Sequence, residues 1–238
     1  MATPIDTTGS TAVLPEKPAT LKPIYPGNLA GIVSELDSGI FYALSQGNPA
    51  AFFNSPLGGT DQGQGFINTI GIIMTIIAPT DTTTFEVLQA AYTKMKAIFN
   101  ANNNAPNSAY AEPLKSFDTA WLSISATINA ATVTDPQFNN LVTKIMSKAI
   151  SMINAAAKGD FSKPATQNLV WNANGMVACL ADLNIYTDTN PKDDYIKYAP
   201  LRSAFEALQS IIENPEPNQA CKDAIAPMQA FANLYKDD

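Results

Sequence analysis

The stretch Phe66-Ile67-Asn68-Thr69-Ile70-Gly71-Ile72-Ile73-Met74-Thr75-Ile76-Ile77-Ala78 is the most apolar window of the chain, preceded by glycines and closed by Pro79. Read as a helix it spans roughly 20 Å, at about 1.5 Å per residue, against roughly 30 Å for the hydrocarbon core of a bilayer; it is too short for an ordinary transmembrane helix. Asn68, Gly71 and Thr75 fall on one narrow stripe at spacings of three and four, while isoleucines and Met74 cover most of the remaining circumference. Such a segment needs neighbours on nearly all sides. The window therefore reads as the central core helix of an α-helical domain, with the small-residue stripe letting one neighbour approach closely. Two alternatives stay open at this level. One is a segment stored in the soluble form and released into a membrane or partner, since flexible glycines precede it; the other is a buried strand, since β-branched residues dominate it.

The rest of the chain supplies helices to surround it. Leu29, Ile32, Val33, Leu36, Ile40 and Leu44 recur at three and four until Gly47-Asn48-Pro49 stops the run. Asp81 offers an N-cap ahead of Phe85, Leu88, Tyr92, Met95 and Phe99. Pro113 introduces Leu114, Phe117, Trp121, Ile124 and Ile128, and Asp135-Pro136 reads as a cap and first-turn proline before Phe138, Leu141, Val142, Ile145, Met146, Ala149 and Ile153. Further faces follow in Leu169, Ala173, Met176, Leu180 and Leu183, weakened in the middle by Gly175, and in Leu201, Phe205, Leu208 and Ile212. The last run, Cys221, Ile225, Met228, Ala232 and Tyr235, carries Pro227, where a kink or break is expected. The pattern predicts an all-α, single helical-bundle domain over residues 29–238, with about eight helices around the central apolar helix at 66–78 and no strand. Residues 159–164 form a weak seam, and residues 47–65 read as a long connection carrying Phe52-Phe53. Residues 1–28, with Pro4, Pro15, Pro18, Pro23 and Pro26, read as an extended Pro-rich arm.

Composition narrows the chemistry. The chain has no histidine, which removes Ser-His-Asp and Cys-His catalysis, histidine-ligated zinc and the Glu-x-x-His motif of helical di-iron proteins. Gly58 to Gly63 has phosphate-loop spacing, but Gln64-Gly65 stands where Lys-Ser/Thr is required. Glu35 and Asp37 lie on different faces of the first helix, and Asp193-Asp194 has no third acid at helical spacing, so no metal or cofactor is expected. The formal net charge is -7, Arg202 is the only arginine and no Lys/Arg stripe forms, which argues against a nucleic-acid partner. Cys179 and Cys221 read either as two buried thiols or as one disulfide tying two late helices. Met1 to Pro26 contains no apolar h-region, so no secretory signal peptide is expected, and the chain reads as soluble, cytoplasmic or released without such a signal.

With no convergent titratable groups, the sequence favours a non-enzymatic helical protein acting through protein–protein contacts or self-association. A membrane-active helical protein of the pore-forming toxin type, using 66–78, is the first alternative, and a helical small-ligand-binding domain the second. The candidate interaction or membrane residues are Phe52, Phe53, Phe66, Ile67, Ile70, Ile73, Met74 and Ile77. Phe52-Phe53 either pins its loop onto the core or anchors a partner or lipid surface; Trp121 and Trp171 read as core packing.

Overall fold

The computed structural model describes residues 29–55, 59–182 and 199–236; the proline-rich arm and the acidic loop containing Asp193-Asp194 lie outside them. Among the described residues all regular structure is helical. The first apolar stripe forms one rod from α1 (Ala30–Leu36), a π-helical turn (Asp37–Phe41) and α2 (Tyr42–Ser45). It stops where Gly47 takes a φ of 80°, a conformation that side-chain-bearing residues avoid. Then come α3 (Pro49–Phe53), α4 (Gly59–Ile77), α5 (Thr82–Ala101), a 3₁₀ turn (Asn107–Tyr110), α6 (Ala111–Ala130), α7 (Asp135–Ala156), α8 (Pro164–Asp182), α9 (Ala199–Ser210) and α10 (Pro217–Asn233).

Two expectations about the region before the window are corrected. Residues 47–65 are not a long connection: Asn48 caps α3 by accepting from the Ala51 amide, and α4 begins at Gly59. The glycines that looked like loop punctuation are helical because each meets something a side chain would exclude. A Cβ on Gly59 would lie 2.9 Å from the carbonyl oxygens of Phe52 and Phe53, and one on Gly63 would strike the Tyr92 phenol. Counting the rod as one and leaving out the 3₁₀ turn, α3 brings the helices among the described residues to nine, in line with the expected number of about eight.

The window itself is the core helix. Ile67, Ile70 and Ile73 are fully buried, and α4 packs against α3, α5, α6, α7 and α8. Its closest approach is to α8. A Cβ on Gly65 would sit 2.2 Å from the Asn172 carbonyl oxygen, and one on Gly175 would sit 2.3 Å from that of Gln62. The two backbones therefore touch, flanked by Gln62 Nε2 donating to Asn174 Oδ1 (3.2 Å) and Asn68 Nδ2 donating to Asn172 Oδ1 (3.0 Å). Gly175 is not a weak point of α8 but the place where α4 crosses it. The stripe of Asn68, Gly71 and Thr75 does not serve one neighbour as expected. Gly71 receives the Phe85 ring from α5, Asn68 binds α8 and Thr75 is exposed, and the stripe borders an open cleft of about 270 Å³.

Three further boundaries differ from the sequence reading. The cap of α7 is Thr134, not Asp135: Gln137 N donates to Thr134 Oγ1 (3.4 Å) while Thr134 N donates to Gln137 Oε1 (2.9 Å). This reciprocal box satisfies two end amides at once, which a lone aspartate does not. α6 starts two residues before Pro113. α10 runs through Pro227 without a break. Across 159–164, α7 packs on both α8 and α10, and Asn218 Nδ2 donates to the carbonyls of Ala157 (3.1 Å) and Gly159 (2.8 Å); both sides share one apolar core.

The crossing makes a measurable prediction. Gly175→Ala and Gly65→Ala should each lower stability by about 3 kcal/mol, because backbone cannot move aside as a side chain can, despite the roughly 1 kcal/mol of helix propensity gained. Gly47→Ala, strained only at its own φ, should lose about 1 kcal/mol. Urea midpoints at unchanged slope would report the difference; equal losses would show that the helices separate freely.

Candidate functional site

The residues expected to form an interaction or membrane segment are placed in the core. Phe53, Phe66, Ile67, Ile70, Ile73 and Met74 are buried, and Phe52 and Ile77 are half-buried against the same cluster. Phe52 packs edge-on to Phe53 (5.1 Å), whose ring reaches Phe99 (5.5 Å) and Tyr92 (5.9 Å), so the pair pins α3 onto α5. No helix among the described residues is long and apolar enough to cross a membrane. Cys179 and Cys221 are placed as buried thiols, the first of the two expected arrangements. They sit on α8 and α10, which share α7 and α9 as neighbours, and Cys179 donates instead to the Gly175 carbonyl (3.4 Å). Burial pushes the Cys221 thiol up to about 11.

The unsatisfied apolar surface lies elsewhere, around α6. The exposed large hydrophobic side chains among the described residues are Leu122 (71% exposed), Tyr42 (63%) and Val87 (45%). Leu122 stands on the outer face of α6, between two grooves. One, of about 430 Å³, runs between the π turn with α2 and α6, and is lined by Asp37, Phe41, Tyr42, Asp118, Trp121 and Leu122 among others. The other, between α5 and α6, carries Val87 and Lys115.

The first groove has an aromatic floor and acidic walls. The α6 stripe buries Phe117 and Trp121, and Phe41 stacks on both, with ring centroids 3.8 Å from Trp121 at an interplanar angle of 2° and 5.0 Å from Phe117. The wider π turn brings both Ile40 and Phe41 inward and leaves Asp37 and Tyr42 on the surface. Trp121 Nε1 donates to Asp37 Oδ1 at 2.7 Å, fixing that carboxylate against the floor. Asp118, half-buried on α6, makes no ion pair or hydrogen bond among the described residues, although Lys115 precedes it by one helical turn. Burial raises its carboxyl above the ordinary carboxylate value. The ion pairs of the described residues, Lys96–Asp61 (2.7 Å) and Lys94–Glu112 (3.6 Å), involve neither groove carboxylate. Among the described residues no group of three or more His, Cys, Asp or Glu is placed to hold a metal ion.

The sequence reading noted Asp37 only as lying on a different face from Glu35, placed Trp121 in the core, and passed over Tyr42, Asp118 and Leu122. Tyr42 and Leu122 are each out of phase with the buried stripe of their own helix, beside a buried aromatic. That signal was readable, but the pairing of the two helices was not. Comparison with protein-family models, with curated proteins and with solved structures returns no match.

Two outcomes follow. Without reductant, the native protein should leave both thiols unreacted toward a disulfide reagent at neutral pH, and unfolding should release two; fewer than two would restore the cross-link. Asp118→Asn should raise the melting temperature at neutral pH, because the ionised, desolvated carboxylate opposes folding. The sign follows from its raised value: between the ordinary and the raised value the folded chain holds more protons than the unfolded one, so stability falls as pH rises. The advantage of the variant should therefore shrink as pH drops through the carboxylate range, and a constant advantage would contradict the assignment.

Proposed function

We propose that this chain is a non-enzymatic interaction protein that docks a protein partner on the outer face of α6. The observation that carries the reading is the pairing of Tyr42 and Leu122, two large side chains left mostly in solvent, on either side of a groove floored by stacked aromatics. Exposed apolar side chains that flank an aromatic-floored groove offer a place for a partner's apolar side chain, and rigid aromatic anchors carry much of the energy of such interfaces. A π turn beside the groove supports the same reading, since such turns are frequent at functional sites.

A photoreactive residue in place of Leu122 tests it directly in the cells that make the protein. Position 122 should give a discrete cross-linked species. The same probe at Lys144, an exposed position on α7, should give none. A species of twice the 25.4 kDa mass would identify the partner as a second copy. Lack of any cross-link at 122 would remove the reading.

A further inference from the structure

We infer that the groove between α2 and α6 accepts a basic, apolar segment of a different protein. In it an arginine side chain sits between Asp37 and Asp118, and a neighbouring aliphatic side chain rests on Tyr42 and Leu122. The inference rests on the docking reading above and adds the chemistry of the occupant.

Charge complementarity carries it. Two carboxylates line the groove and none of its described lining residues is a cation; Lys115, one turn before Asp118, lines the other flank of α6 and makes no ion pair with it. Asp37 spends Oδ1 on Trp121 and so holds its second oxygen in a fixed place, while Asp118 has no partner among the described residues. A carboxylate partly removed from water gains most from a donor that arrives with positive charge. Arginine fits better than lysine. Its planar group offers five donors, enough to reach both acids, is less strongly hydrated, and stacks on an exposed aromatic ring such as Tyr42. The apolar walls at Tyr42 and Leu122 give a peptide, rather than a small cation, its purchase. The chain's only arginine, Arg202, already has an interaction within its own fold, which favours a different protein over a second copy.

Calorimetric titration of the full-length protein with an acetylated, amidated seven-residue peptide of alternating leucine and arginine tests this against the same peptide with citrulline, arginine's neutral isostere. The arginine peptide should bind at least tenfold more tightly than the citrulline peptide. That margin should fall below threefold in Asp118→Asn and in Asp37→Asn, with melting curves confirming that both variants fold. Leu122→Ser should weaken both peptides at least fivefold. Equal affinity for the two peptides, no measurable binding of either, or binding indifferent to Leu122→Ser would each overturn the inference. A cross-link at position 122 that the arginine peptide fails to suppress would overturn it too, while leaving the docking reading in place. Deletion of residues 1–28, which hold Lys17 and Lys22, should leave the affinity unchanged. A tenfold gain on deletion would name the chain's own arm as the occupant and end the case for a separate partner.

Discussion

The backbone contact between α4 and α8 is the constraint from which the packing follows. Where Gly65 meets Asn172 and Gly175 meets Gln62 there is no side chain between the helices, so any added Cβ would force them apart. Each glycine gives up roughly 1 kcal/mol of helix propensity relative to alanine, and the close dispersion contacts of the crossing offset it. Polar bonds fix the register. Gln62–Asn174 and Asn68–Asn172 sit on either side of the crossing, and a slide by one turn would break both pairs and leave the buried Asn174 without its bond to Gln62. The margin is already narrow, since Asn174 Nδ2 is buried without a partner among the described residues.

From that crossing the order of the molecule propagates outward to the groove. The start of α4 holds α5 through the Lys96–Asp61 ion pair, largely withdrawn from water, and through the Tyr92 hydroxyl, which donates to the Thr60 carbonyl. Burial, and then the neighbouring Asp61, push the Tyr92 phenol well above its ordinary value, so this bond persists across neutral and mildly alkaline conditions. α5 in turn packs along α6, whose inner stripe of Phe117, Trp121, Ile124 and Ile128 is buried. The rod of α1, the π turn and α2 rests on α8 and α6, and the Trp121–Asp37 bond joins it to α6. The groove is therefore built on helices seated on the core rather than on loops.

Much of this was legible in residue spacing, and what was not has a physical reason. The stripes of α5, α6 and α7 are continuous at three and four, and Asp81 caps α5 as its position suggested, accepting from the Thr84 amide. The window 66–78 proved to be core because a segment apolar nearly all round can be satisfied only by neighbours. Gly59, Gly63, Gly65 and Gly175 misled for one shared reason. Local propensity counts glycine as a loss, whereas its value here lies in what approaches it from another helix, and that is tertiary information. The α6 groove was hidden in a similar way. An isolated Leu122 or Tyr42 is ordinary on any surface, and only the packing of two helices distant in sequence makes them a pair.

In the proposed docking, the groove would set stability and recognition against each other. Asp118 would favour folding more as a neutral residue, since its burial raises the free energy of the charged form and no ion pair among the described residues compensates it. In the proposed docking, the same lack of an ion pair among the described residues would make it responsive to an incoming cation. A carboxylate already shed of part of its water has less to lose on binding, and Asp37, pinned by Trp121, has little orientational freedom to give up. Tyr42 and Leu122 add apolar area whose exposure weakens the isolated fold only slightly, because it was never part of the core. Side chains held on packed helices, with floor and walls fixed before any encounter, give a site that need not be ordered at the moment of binding. If the groove binds as proposed, it would be selective while small, because complementarity of charge and shape, rather than area alone, decides what stays in such a site.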